Sequence, residues 1–218
     1  MTFEDAFAEL PIIAILRGMT PKESEPIAGA LHQAGIRIVE VPLNSPQALE
    51  SIQRLRVSFD GRLVVGAGTV RTPADVAAVA EAGGQIIVSP DTVPAVIHET
   101  LKRGLVSIPG FATATEAFAA VDAGATYLKL FPAATYGPGH ITALGAVLPP
   151  NVQVIAVGGI GPKDIPILWA GGARGFGLGS DLYVGGRRAP AVFTRARAAV
   201  EAFRQLPERA AIAATRYG

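Results

Sequence analysis

Along the chain, short apolar runs alternate with longer segments in which apolar positions recur every three or four residues. The runs are rich in Ile, Val and Leu and end in Gly or Pro, which marks them as buried strands; the longer periodicity marks amphipathic helices. Strands are predicted at 12–17, 36–43, 63–70, 85–89, 105–108, 127–131, 153–157 and 175–179. The helices between them carry their own start and stop signals. In Thr72-Pro73-Ala74-Asp75, Thr72 is placed to cap and Pro73 to fill the first helical position. Glycines such as Gly35, Gly104 and Gly124 follow the last periodic residue of other helices.

Strands that alternate with helices predict a parallel sheet covered by those helices. Eight such units in a chain of this length predict a closed (β/α)8 TIM barrel, with residues 1–218 forming one domain. A short helix at 3–10 precedes the first strand and a closing helix runs over 189–206; the tail beyond Pro207 is expected to fray. An open doubly wound sheet is the structural alternative. The first strand-to-helix turn, Leu16-Arg17-Gly18-Met19-Thr20-Pro21, lacks the G-x-G-x-x-G pattern such a sheet uses for dinucleotides.

Composition narrows the function classes. The 218 residues are 50% hydrophobic and 17% charged with a net charge of +1, as expected of a compact globular protein. No basic cluster exceeds Arg187-Arg188, so nucleic acid is not an expected partner. No apolar run reaches membrane-spanning length and the N-terminal residues lack a signal-like core, so the expectation is no membrane and a cytoplasmic location. With no cysteine there is no disulfide, thiol nucleophile or thiolate metal site.

In a barrel of this kind the chemistry sits at the C-terminal ends of the strands. Two charged residues lie where strands should be apolar. Lys129 stands in the run Tyr127-Leu128-Lys129-Leu130-Phe131, and Glu40 in Ile38-Val39-Glu40-Val41-Pro42. Burial lowers the pKa of a lysine amine, which makes Lys129 a candidate nucleophile toward a carbonyl carbon. Glu40 is the matching candidate for the acid/base that an imine-forming reaction needs. A structural ion pair between the two is the plainer alternative.

Two Gly-rich strand ends, Val157-Gly158-Gly159-Ile160 and Gly177-Leu178-Gly179-Ser180, occupy the positions that barrels commonly use for phosphate. Glycine lets backbone amides approach an anion, and Ser180 adds a hydroxyl donor. Arg17 offers a guanidinium fork for a substrate carboxylate and Thr69 a hydroxyl beside it. The segment around Thr69, Gly66-Ala67-Gly68, also reads as tight strand packing. The three histidines, His32, His98 and His140, fall on separate predicted helices, His140 opening one of them, and form no metal-ligand pattern; no metal is expected. No Gly-x-Ser-x-Gly elbow supports a serine hydrolase.

These residues resemble a known family, the short class I aldolases that cleave 2-keto-3-deoxy-6-phospho sugar acids. The similarity spans residues 11–203 and is carried by Ile15-Leu16-Arg17-Gly18, Glu40-Val41-Pro42-Leu43-Asn44-Ser45-Pro46, Gly66-Ala67-Gly68-Thr69-Val70, Lys129-Leu130-Phe131-Pro132, Val157-Gly158-Gly159 and Gly179-Ser180-Asp181-Leu182-Tyr183. The resemblance implies Lys129 as the Schiff-base lysine and Glu40 as acid/base. It implies Arg17 and Thr69 around the pyruvate carboxylate, and Gly158, Gly159, Gly179 and Ser180 around the phosphate. It further implies no cofactor beyond the covalent imine on Lys129, a phosphorylated keto-deoxy sugar acid as substrate, and a homotrimer. Gluconate-type members carry Glu-Val-Thr-Leu-Arg-Thr after the second strand. Here that segment reads Glu40-Val41-Pro42-Leu43-Asn44-Ser45, with an arginine after the first strand instead, which resembles the galactonate-type members. Gluconate-type or dual specificity, another phosphosugar barrel isomerase or epimerase, and a non-catalytic phosphosugar-binding barrel are the competing readings.

Overall fold

The wall of the molecule is a ring of parallel strands: β1 (Ile12–Ile15), β2 (Ile38–Pro42), β3 (Val64–Gly68), β4 (Ile86–Val88), β5 (Val106–Ile108), β6 (Gly110–Phe111), β7 (Tyr127–Leu130), β8 (Gln153–Val157) and β9 (Gly175–Leu178). Their order in the sheet is β5-β4-β3-β2-β1-β9-β8-β7-β6. The two ends of that order, β5 and β6, are separated in sequence by Pro109 alone. The Pro109 carbonyl accepts from the Lys129 amide at 2.8 Å, so pairing to β7 continues across the break. Proline has no N–H to give the ladder, which explains why one barrel stave is split in two. Nine segments therefore make the eight staves of a (β/α)8 barrel. The computed structural model describes residues 1–207; the tail expected to fray lies outside the described residues from 208 onward.

The helices are α1 (Phe3–Glu9), α2 (Pro21–Ala34), α3 (Ala48–Ser58), α4 (Pro73–Glu81), α5 (Pro94–Lys102), α6 (Ala114–Asp122), α7 (Ala133–Gly145), α8 (Ile165–Ala170) and α9 (Ala189–Arg204). Thr72 caps α4 as predicted: its hydroxyl accepts from the Asp75 amide at 3.1 Å, and the Asp75 carboxylate accepts from the Thr72 amide at 3.1 Å. Two local expectations are corrected. Arg17 lies in the turn beyond β1 rather than at the strand's end. A helical piece not expected from sequence opens at Ala133, and the break at Gly137 (φ 72°, ψ 179°) separates it from the piece that carries His140. Gly137 and Pro138 interrupt the helical ladder there, and two helical pieces abut across them.

Strand periodicity sorts side chains into two layers. Ile12, Ala14 and Leu16 pack outward against the helices with Val39, Val41, Val65 and Leu128. Ile13, Ile15, Ile38, Val64, Ile155 and Val157 point inward. Glu40 is two residues beyond inward Ile38, and Lys129 two beyond Tyr127, which packs against the same inner cluster. Both charges are thus committed to the barrel interior by parity, with Ile15 paired to Glu40 and Gly110 and Ile155 paired to Lys129. At the opposite mouth Phe3 and Phe7 of α1 close the barrel against Tyr127, with ring centroids 4.8 and 5.2 Å apart. No helix among the described residues is long and apolar enough to cross a membrane.

Candidate active site

At the C-terminal end of the strands the barrel opens into a cleft of about 290 Å³. Arg17, Glu40, Thr69, Lys129, Gly158, Gly159, Gly179 and Ser180, all singled out from sequence, line this one cleft. They come from the ends of β1, β2, β3, β7, β8 and β9, so only ring closure brings them together.

Lys129 and Glu40 form the floor. They are the only charged residues among the described ones whose whole side chains are buried, at 6% and 2% exposure. Burial lowers the pKa of Lys129; the Glu40 carboxylate opposes that shift, Arg17 adds to it, and Asp91 opposes it. Burial also raises the pKa of Glu40 to about 7, against the downward pull of Lys129 and Arg17. Each group is pushed toward its neutral form, the state in which an amine attacks a carbonyl and a carboxyl can give or take a proton near neutral pH. Oε2 of Glu40 is buried and accepts no hydrogen bond among the described residues. A buried acceptor without a partner costs stability, and catalytic groups are where such a cost is retained. Over Lys129, the ring of Phe131 lies 4.9 Å from Nζ and is 40% exposed at the rim.

The room for Glu40 is made by a residue not singled out for the site. A Cβ at Gly68 would fall 2.0 Å from Oε2 of Glu40 and 2.5 Å from Oε1. Gly66 answers to the other reading of that segment, tight strand packing, because a Cβ there would fall 2.0 Å from the Ile86 carbonyl oxygen. Next to Gly68, Thr69 adopts a left-handed backbone (φ 59°), unusual for a β-branched residue and the kind of local strain found at functional sites.

Arg17 is exposed at the rim, and its Nη1 donates to Oδ1 of Asn44 at 2.8 Å. The neighbouring Gly18 amide donates to Oγ of Ser45 at 3.0 Å. These bonds hold the loops after β1 and β2 together, so the arginine that follows the first strand is fastened to the segment following Glu40. After β8, Gly158 (φ 99°) and Gly159 (φ 72°) turn the backbone under Phe131 and α7. A Cβ on Gly158 would fall 2.9 Å from the Phe131 ring, and one on Gly159 would fall 2.8 Å from Cβ of Ala134. Side chains are excluded at both positions, which leaves backbone facing the cleft.

Ile15, Phe131 and Tyr183 also line the cleft and were not assigned to it from sequence. For Ile15 and Phe131 a signal existed, since each shares strand parity with a chosen neighbour, Arg17 or Lys129. Tyr183 belongs to a segment that carries the resemblance but had no local signal for a place in the cleft: it follows the last strand and is positioned by a bond from its hydroxyl to Oε1 of Glu23, 160 residues away in sequence. The histidines lie elsewhere, on α2, α5 and α7. Among the described residues no group of three or more His, Cys, Asp or Glu side chains is arranged to hold a metal ion.

The structure is a parallel (β/α)8 barrel with a buried amine and a buried carboxyl at the C-terminal mouth, where barrel enzymes carry their active sites. The family model for KDPG and KHG aldolases matches residues 3–209. The chain belongs to that family. It is 45% identical over 197 residues to the 2-dehydro-3-deoxy-6-phosphogalactonate aldolase of Escherichia coli (strain K12), covering 90% of this chain and 96% of that one. It is 46% identical over 195 residues to a probable 2-dehydro-3-deoxy-6-phosphogalactonate aldolase of Rhizobium meliloti (strain 1021), covering 89% and 92%. The solved structure described as native KDPGal superposes with a TM-score of 0.89 at 45% identity, covering 90% of this chain and 96% of that chain.

Proposed function

We propose that this chain is a one-domain class I aldolase that reversibly cleaves 2-dehydro-3-deoxy-6-phosphogalactonate to pyruvate and D-glyceraldehyde 3-phosphate. The observation that carries the reading is the buried Lys129–Glu40 pair in a cleft also lined by the Gly-rich backbone that follows β8 and β9. Lys129 Nζ attacks the C2 ketone, and Glu40 moves protons as the carbinolamine loses water to give the iminium. Glu40, directly or through water, then takes the C4 hydroxyl proton while the C3–C4 bond breaks. The bonding electrons pass to the iminium, giving an enamine and releasing the aldehyde. Protonation at C3 and hydrolysis of the imine release pyruvate and restore the amine. Arg17 and Thr69 are assigned to the pyruvate carboxylate, and Gly158, Gly159, Gly179 and Ser180 to the phosphate. No metal enters this scheme.

The galactonate assignment rests on the galactonate-type relatives and on the Arg17–Asn44 contact, which places the arginine on the first loop and an amide on the second. The homotrimer belongs to the same reading and comes from the family resemblance; the cytoplasmic location is the expectation drawn from the sequence, which has no membrane-spanning run or signal-like core.

Borohydride reduction with pyruvate, followed by peptide mass mapping, is expected to place a pyruvate adduct on Lys129. Parallel assays with the two C4 epimers are expected to favour the galactonate form. A folded sample that traps no adduct sinks the imine mechanism; preference for the gluconate epimer sinks only the substrate assignment.

The two strand glycines separate catalysis from packing. Gly68→Ala is expected to lower kcat by about 10²-fold or more by displacing the Glu40 carboxyl. Gly66→Ala meets backbone rather than a side-chain end and is expected to lower the melting temperature instead. Steady-state kinetics and thermal melts of both variants check the contrast; equal loss of stability with unchanged kcat in Gly68→Ala removes the steric argument.

A further inference from the structure

The turn that follows β9 is tied down from its outer side by residues outside the cleft. Within it the Gly179 carbonyl accepts from the Leu182 and Tyr183 amides, both at 2.9 Å. The next two carbonyls are taken by an arginine: Nη1 of Arg187 donates to Ser180 O at 3.1 Å and to Asp181 O at 2.9 Å. Arg195 Nη1 adds a bond to Asp181 O at 3.0 Å and lies 3.7 Å from its carboxylate. Three successive carbonyls are therefore engaged on one side. In a helical turn the N–H groups point opposite to the carbonyls. The amides of Ser180 and Asp181 donate to no acceptor among the described residues. Ser180 sits on the ridge between the cleft and a second hollow lined by Arg187, Arg195 and Lys163.

We propose that Arg187 is a positioning residue for the phosphate end of the substrate, holding the Ser180–Asp181 turn by its carbonyls so that its amides meet the anion. The proposal rests on the phosphate reading of the Gly-rich strand ends. Arg187 is the stronger of the two anchors, being half-buried and bonded to two carbonyls, whereas the Arg195 side chain is 47% exposed. A planar guanidinium is suited to this task because it donates several bonds in a fixed direction without giving up its charge. That charge, behind the turn rather than in the cleft, also favours an anion on the other side.

The test compares Arg187→Ala, Arg187→Lys and Arg195→Ala with the unmodified protein on the phosphorylated substrate and its unphosphorylated counterpart. Borohydride trapping of pyruvate serves as a phosphate-free control. Arg187→Ala is expected to raise KM for the phosphorylated substrate about tenfold and to weaken competitive inhibition by inorganic phosphate by the same factor. Its kcat, its use of the unphosphorylated substrate and its rate of pyruvate trapping are expected to stay within about twofold of the original. Arg187→Lys is expected to recover part of the loss, and Arg195→Ala to shift KM in the same direction by less. An equal loss on both substrates, or an unchanged KM with phosphate inhibition intact, overturns the proposal. If the unmodified protein does not distinguish the two substrates, the phosphate reading itself has failed, an outcome visible before any variant is made.

Discussion

Replacing Lys129 with Ala will abolish retro-aldol turnover, by at least about 10⁴-fold, with the barrel still folded. The expectation follows from position as well as residue type. Lys129 is committed to the barrel interior by the parity of β7, lies at 6% exposure, and is held toward its neutral form by burial. No second lysine can substitute, since Lys22, Lys102 and Lys163 belong to the helical layer or its connections and none lines the cleft. Lys129→Met fills the same volume without a nitrogen and is expected to be equally inactive, which separates loss of the nucleophile from loss of packing. Measured kcat, pyruvate trapping and a far-UV spectrum decide the matter. Appreciable residual turnover in either variant would count against covalent catalysis at this residue.

Glu40→Gln is the second large effect, and it has two signatures of opposite sign. Catalysis should fall by about 10²- to 10⁴-fold, because a carboxamide cannot shuttle the protons of carbinolamine breakdown or take one from the C4 hydroxyl. In the unmodified protein kcat/KM should rise with pH through about 7 as Glu40 becomes a carboxylate, and that limb should vanish in the variant. Stability should move the other way. The folded-state pKa of Glu40 is raised from 4.5 to about 7, so its protonated form is favoured by folding. Its contribution is fully present below pH 4.5 and is lost as pH rises through about 7, since over that window the unfolded chain releases a proton that the folded state still holds. The difference corresponds to something on the order of 3 kcal/mol, with the downward pull of Lys129 and Arg17 already contained in it. Glu40→Gln escapes that loss. Its melting temperature relative to the unmodified protein should therefore climb between pH 5 and pH 8 by roughly 5–10 °C. A flat difference across that range would mean that Glu40 is not perturbed as its burial implies.

The same two residues explain why so much of the site was legible in the chain. A lysine and a glutamate inside apolar strand runs break the pattern around them, and such breaks persist where a function requires them. Their inward orientation could be read two residues at a time from Ile38 and Tyr127. The strand-helix alternation and the capping box at Thr72 were legible for a related reason, since both are local and each is written within a few consecutive residues. Local reading failed where the local signal was missing or misleading. Gly137-Pro138 is the helix boundary it looks like, with Gly137 at φ 72° and ψ 179°, but the helical piece that precedes it from Ala133 has no start signal of its own in the chain. Pro109 ends a strand in sequence, whereas in the barrel it interrupts a stave that resumes at Gly110.

Sequence periodicity and punctuation were sufficient to specify the barrel, the direction of Lys129 and Glu40, and the Gly-rich strand ends, because each depends on neighbours a few positions away. Ring closure decided the rest. It set Gly68 against Glu40 across a strand pair, fastened Arg17 to Asn44, tied Tyr183 to Glu23 over 160 residues, and brought Arg187 under the carbonyls of Ser180 and Asp181. The pKa shifts belong to the same group, since they arise from burial and from charges contributed by different strands. A sequence records which side chains are present and which way a strand turns them; what surrounds each of them is determined only when distant segments close around it.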